Sequence, residues 1–209
     1  MNNFYLKMVK LSLAVLIVFA LIDLGLTQKT EAATTGTATL STSVQQYLAL
    51  TVTSGGTVGF GNLTPGTPID APSGGTVVSV STNAANGYTV GLSDGSDTNS
   101  AMLHTDTTTY IADYAGTIAV PTTWTSTGVG ISMFAATTNK EAKWGTGTTY
   151  NDANNNYAGI PSAATTAHTV TGTLGGADTS SWGFSVDVAN TQKTGSYSGD
   201  VTFTATASL

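Results

Sequence analysis

The chain has no cysteine and no arginine, only two histidines, and charged residues make up just 9% of its 209 positions. Without cysteine, disulfide staples and thiolate metal sites are excluded. Without arginine, and with six scattered lysines against twelve acids, no basic stripe can neutralise phosphates. Nucleic acid is therefore not an expected partner, and neither is an anionic membrane surface. Chemistry is scarce as well. His104 and His168 stand alone in sequence, and a lone strand histidine is more often structural than catalytic. Gly195-Ser-Tyr197-Ser-Gly199 has tyrosine where a nucleophile elbow needs serine. Gly56-Thr-Val-Gly-Phe-Gly61 lacks both the Lys-Ser/Thr pair and the following helix of a phosphate cradle. The expectation is a protein that is not an enzyme and holds no cofactor.

What is present begins with an N-terminal address. Lys7 and Lys10 precede the twelve-residue apolar run Leu11 to Ile22, which Asp23 ends. A polar stretch then leads to Thr30-Glu31-Ala32 and Ala33, with small residues where a signal peptidase cuts. The run is short for a bilayer span. The reading is a secretory signal over residues 1–32, with an uncleaved anchor as its alternative. Residues 33–209 keep three lysines and ten acids, are long enough for one sandwich with its own core, and show no repeat or linker. They are expected at the cell surface or secreted, with no membrane contact after cleavage.

Strict alternation dominates this remainder. In Tyr197-Ser-Gly-Asp-Val-Thr-Phe-Thr-Ala-Thr-Ala207, apolar and polar residues take opposite parities, the mark of a strand with one buried and one wet face. Thr76 to Thr82 and Tyr88 to Leu92 alternate too, and Asn86-Gly87 between them reads as a hairpin turn. Thr57 to Leu63 reads as a short strand before a Pro/Gly loop. Short strands are expected near 115–120 and 129–135, then at 168–174 and 182–188. Tyr88, Trp182, Phe184, Val201 and Phe203 are the predicted core, with the last two strands side by side. The fold class is all-β: an immunoglobulin-like antiparallel sandwich of about seven to nine strands.

Two polar loops offer oxygen ligands at alternate positions, as calcium requires: Asp94 with Asp97, and Asp152 with Asn154. Neither has a closing bidentate glutamate, and runs of Asx residues equally build turns. Trp124, Trp144, Tyr150 and Tyr157 are candidates for stacking on sugars or for the core.

Several blocks together resemble a known family. Val58-Gly-Phe60-Gly61-Asn-Leu63 after a first strand is similar to the "FG" signature of spore coat protein U domains, which include pilins of archaic chaperone–usher systems. Gly87-Tyr88-Thr-Val-Gly-Leu92-Ser-Asp-Gly95, Ile131-Ser-Met-Phe134 with Trp144-Gly145-Thr-Gly147, His168-Thr-Val170-Thr-Gly172 and Gly195-Ser-Tyr197-Ser-Gly-Asp200 follow in the family's order. The family's usual cysteines are absent, and residues 104–128 read as an insertion. The resemblance implies an incomplete sandwich whose missing strand comes from the N-terminal extension of another copy. In this chain the donor is Thr37 to Val44, with Ala38, Leu40 and Val44 on its apolar side. The alternative is that residues 37–53 are one bent first strand of a self-complete domain. The implied partners are copies of the chain itself and a secretion chaperone. The implied function is a structural fibre or pilus subunit of the cell surface. A monomeric secreted module that binds glycans or a surface protein through loops 93–167 is the competing reading.

Overall fold

The computed structural model describes residues 5, 7–10, 12, 35–71, 74–94 and 100–209. It separates into two units, Met1–Ser43 and Val44–Leu209. In the first, Tyr5, Lys7 to Lys10 and Ser12 are helical, and residues 35–43 form neither helix nor strand. The apolar run, apart from Ser12, and the expected cleavage site lie outside the described residues. Among the described residues no helix is long and apolar enough to cross a membrane.

The second unit is built almost wholly of antiparallel strands. In chain order they are β1 (Leu48–Ser54), β2 (Ile69–Asp70), β3 (Thr76–Thr82), β4 (Tyr88–Ser93), β5 (Ser100–His104), β6 (Tyr110–Ala112), β7 (Thr122–Thr123), β8 (Gly128–Ala136), β9 (Asn156–Tyr157), β10 (Thr165–Val170), β11 (Asp178–Asp187), β12 (Tyr197–Ser198) and β13 (Thr202–Ala207). One sheet runs β1-β3-β11, with β8 on the far edge of β11 and β2 beside β3's end. A second runs β10-β4-β13, and a third β12-β5-β6. The all-β, sandwich-like expectation holds.

Alternation explains the layers. In β3, Thr76, Val78, Val80 and Thr82 are buried while the residues between them are half-buried, and Tyr88, Val90 and Leu92 of β4 point inward in the same way. β11 departs from alternation because it is central: from Trp182 to Asp187 every residue is buried. An aromatic chain joins the layers. Trp144 meets Trp182 edge-on with centroids 5.5 Å apart, and Trp182 lies 5.7 Å from Phe203. Such contacts add to the area that large rings bury. The indole N–H of Trp144 donates to Ala167 O at 3.2 Å and that of Trp182 to Ser180 Oγ at 2.9 Å.

Several expectations are corrected. β3 and β4 are not a hairpin: β3 pairs with β1 and β11, and β4 with β10 and β13. The Ala84–Gly87 turn instead carries the chain from one sheet to the other. Gly87, at φ 84°, is required there, since a Cβ would lie 2.1 Å from Val170 O. Residues 37–47 and 57–63 form no strand, and the strands near 115–120 are β6 and β7, which flank that stretch. The strands that carry them, β11 and β13, belong to different sheets, so Trp182 and Phe203 are near each other as expected but meet across the interior rather than along a ladder. Tyr88, Trp182 and Phe184 are buried, whereas Val201 and Phe203 are half-buried and pack against the core from outside.

This difference has a measurable consequence. Trp182→Ala should cost about 3–5 kcal/mol in chemical denaturation, as large-to-small core changes do. Phe203→Ala should cost less than about 2 kcal/mol, because part of that ring is already in water. The reverse order would contradict the assigned burial.

Candidate functional site: an apolar groove between two free strand edges

The half-buried apolar residues are not scattered. Among the described residues β1 pairs only with β3, and β13 only with β4. Each therefore has one ladder edge without a strand partner, and the inward side chains beside those edges are incompletely covered. Leu50, Phe203 and Ala205 are half-buried and Val52 is 41% exposed. Beside Val52 at the end of β1 and Phe203 at the start of β13 lies an opening of about 370 Å³, with Val129, Ile160, Phe184 and Val201 also in its walls. A second, of about 550 Å³, continues past Leu63, Ile111, Val188 and Lys193. Val58, Phe60, Met102 and Tyr197 line both. The walls mix these apolar side chains with polar ones, among them Thr57, Thr76, Ser198 and Asp200 at the first opening and Asn62, Gln192 and Lys193 at the second, so what this site can do chemically is bury apolar side chains and offer hydrogen-bonding groups beside them.

Polar clamps hold the surroundings of the groove. At the start of β1, Asn83 Oδ1 accepts the Tyr47 N–H at 2.7 Å and Asn83 Nδ2 donates to Gln45 O at 2.8 Å. The Thr82 hydroxyl donates to Tyr47 O at 2.8 Å. At the far wall, Asp106 caps the β5–β6 turn by accepting the N–H groups of Thr108 and Thr109, and it pairs with Lys193 at 2.8 Å. The Lys193 ammonium, then these N–H groups, hold the Asp106 carboxyl well below the usual carboxylate range. His104 accepts the Asp106 N–H at Nδ1, and its Nε2 lies 3.3 Å from Thr194 O. Its ring sits against Tyr197, with centroids 4.9 Å apart. Residues 193–197 of the wall are thus fixed by the β5–β6 hairpin.

His168 belongs to a separate buried network. It is fully buried, with Nδ1 2.8 Å from Glu141 Oε2, and Glu141 Oε1 accepts the Thr169 N–H at 2.7 Å. Burial alone would push the Glu141 carboxyl up. The hydrogen bond and charge of His168, with the Thr169 N–H, outweigh it and leave that carboxyl below its ordinary value. Tyr88, whose ring meets that of His168 edge-on with centroids 6.3 Å apart, donates to Asp178 Oδ2 at 2.8 Å. Burial and this carboxylate push the Tyr88 hydroxyl well up.

The calcium candidates fall in three places. Asp94 is buried, and its N–H donates to Pro161 O. Asp97 lies outside the described residues. Asp152 spends both oxygens inside its own turn: Oδ1 accepts from the Asn154 N–H and Nδ2 at 2.9 Å, and Oδ2 from the Thr148 N–H at 3.2 Å. Among the described residues no three histidines or acids gather to hold a metal. The aromatic candidates are mostly internal. Trp144 is fully buried, Tyr157 is 4% exposed, and Trp124 stacks on Tyr114 at 4.4 Å. Of the donor candidates, Leu40 and Val44 are 94% and 84% exposed, and Ala38 is exposed too. Comparison with protein-family models, with curated proteins and with solved structures found no match.

Sequence reasoning missed the Asp106–Lys193 clamp, which joins residues 87 positions apart. Asp106-Thr-Thr-Thr109 carried its only signal, an Asx turn. For Glu141 and His168 the signal was scarcity: Glu141 is the sole glutamate after residue 31.

A folded-state carboxyl below its unfolded value stabilises above the unfolded pKa, about 4.3 for glutamate, and that contribution is lost as pH falls through the folded value. Unfolding free energy should therefore decline below about pH 4. Glu141→Gln should flatten that acid limb and cost about 1–3 kcal/mol at neutral pH, since it weakens a buried polar pair. An unchanged acid limb in urea melts would show that Glu141 is not coupled to folding.

Proposed function

We propose that the chain is a non-enzymatic structural subunit of the cell surface that polymerises by strand donation. In this reading residues 37–44 of one copy lie between β1 and β13 of the next and complete an immunoglobulin-like sandwich. The observation that carries it is the pair of ladder edges, each with a single strand partner, beside openings partly lined by apolar side chains; β1 and β13 approach within 8 Å over part of their length, so an entering strand would have to spread them. An extended segment laid there would satisfy both edges by main-chain hydrogen bonds while its alternate side chains fill the openings.

Residues 37–44 match that demand. At about 3.3 Å per residue they span roughly 27 Å, enough to run beside seven-residue β1 and six-residue β13. Ala38, Leu40, Thr42 and Val44 share one parity, and Thr37, Thr39, Ser41 and Ser43 the other, so a row that is apolar except at Thr42 would face the groove and a hydroxyl row would face water. With a net charge of −6, association of copies draws on burial rather than on opposite charges. Export with cleavage after Ala32 would free the segment, and a secretion chaperone would cover the groove beforehand.

Leu40→Asp is the direct test. It would place a carboxylate in an apolar groove, at a cost of several kcal/mol without a partner. Sizing columns should show ladders or filaments for the wild type and monomers for the variant, with the two monomers melting alike. A wild type that stays monomeric at high concentration would overturn the fibre reading and leave the monomeric binding module.

A further inference from the structure

The segment directly after β1 forms a wall of both openings. Val58 and Phe60, with Met102 and Tyr197, line both openings, so the two, of about 370 and 550 Å³, adjoin along this stretch. It has the pattern of a strand without being one. Val58 and Phe60 share a parity and, with Leu63, pack against the core half-buried. Yet no backbone hydrogen bond joins residues 56–63 to another described residue. Its glycines at 56, 59 and 61 have nothing within 4 Å of where a Cβ would be, and Gly61 is at φ 72°. The segment is thus held by two or three apolar side chains alone.

We propose that Thr57–Leu63 is an internal stopper: it occupies the strand-accepting groove of the unassembled subunit and is displaced when a donor strand enters. The inference rests on the strand-donation reading above and adds an intramolecular competitor to it. A partner strand offers what the stopper does not, a ladder along both β1 and β13, so the exchange gains hydrogen bonds while it trades one set of apolar contacts for another. Leaving is easy, because no ladder breaks and the glycines let the chain swing without a steric penalty. Entry is slowed, because binding must wait for, or force, the opening of Val58 and Phe60 from Met102 and Tyr197. A binding-competent state that is only fractionally populated lowers the apparent affinity and the association rate by that fraction.

The test uses the full chain carrying Leu40→Asp as an acceptor that cannot donate. A fluorescent synthetic peptide of residues 35–46 is the probe. Phe60→Ala in this background should raise the peptide's association rate about tenfold, and Val58→Thr should raise it by a smaller factor. In the acceptor labelled with 4-fluorophenylalanine, the Phe60 resonance, assigned by its loss in Phe60→Ala, should move to the solvent-exposed position when peptide binds. Peptide that binds all acceptors at one rate, with the Phe60 resonance unmoved, would overturn the stopper and leave strand donation intact. Peptide that binds none of them would overturn the groove as a strand acceptor, and the stopper with it. Should Phe60→Ala fail to fold, the Val58→Thr rate and the peptide-induced change in the labelled acceptor's fluorine spectrum still decide.

Discussion

A pair of inward-facing sheets is closed to water only where neighbouring strands cover each other's edges. In this fold β1 and β13 approach within 8 Å over part of their length without pairing, and each has one ladder partner. That missing pairing orders much of the rest. It leaves Leu50, Val52, Phe203 and Ala205 partly wet on strands whose parity marks those positions as interior. Free edges are ordinarily blunted by charges, prolines or covering loops. Here β13 carries threonines on its outer side and no charge, and β1 likewise has none.

The remainder is built firmly around these edges. β11, paired on both edges and buried on both faces over its second half, ties β3 to β8. Trp144, Trp182 and Phe203 link that sheet to the one ending in β13. The Asp106–Lys193 pair and the His104–Tyr197 contact hold the far wall, and Asn83 anchors the chain where β1 begins.

Parity along the chain made β3, β4, β11 and β13 legible, and with them Tyr88, Trp182 and Phe184 as core. Those elements bury one face, or lie at the centre, so their pattern and their environment agree. Pairing was less legible. Asn86-Gly87 correctly marked a tight turn with positive φ, but such a dipeptide does not say whether the chain returns to its own sheet or crosses to the other. Residues 37–44 and 57–63 alternate like strands and yet form none, because alternation records a capacity to lie at an edge and not the presence of a partner. The half-burial of Phe203 could not be read either, since it depends on what lies beside β13 rather than on β13 itself. Contacts remote in sequence, such as Asp106 with Lys193, left only a turn motif behind.

The central claim is that these two edges receive a strand from another copy. Amide hydrogen exchange over Leu48–Ser54 and Thr202–Ala207, compared between monomer and polymer, tests it most directly. The account predicts that amides facing the groove on both strands exchange quickly in the monomer and become protected together in the polymer, while those facing β3 and β4 are protected throughout. Protection of all of them already in the monomer, or no gain on assembly, would contradict it.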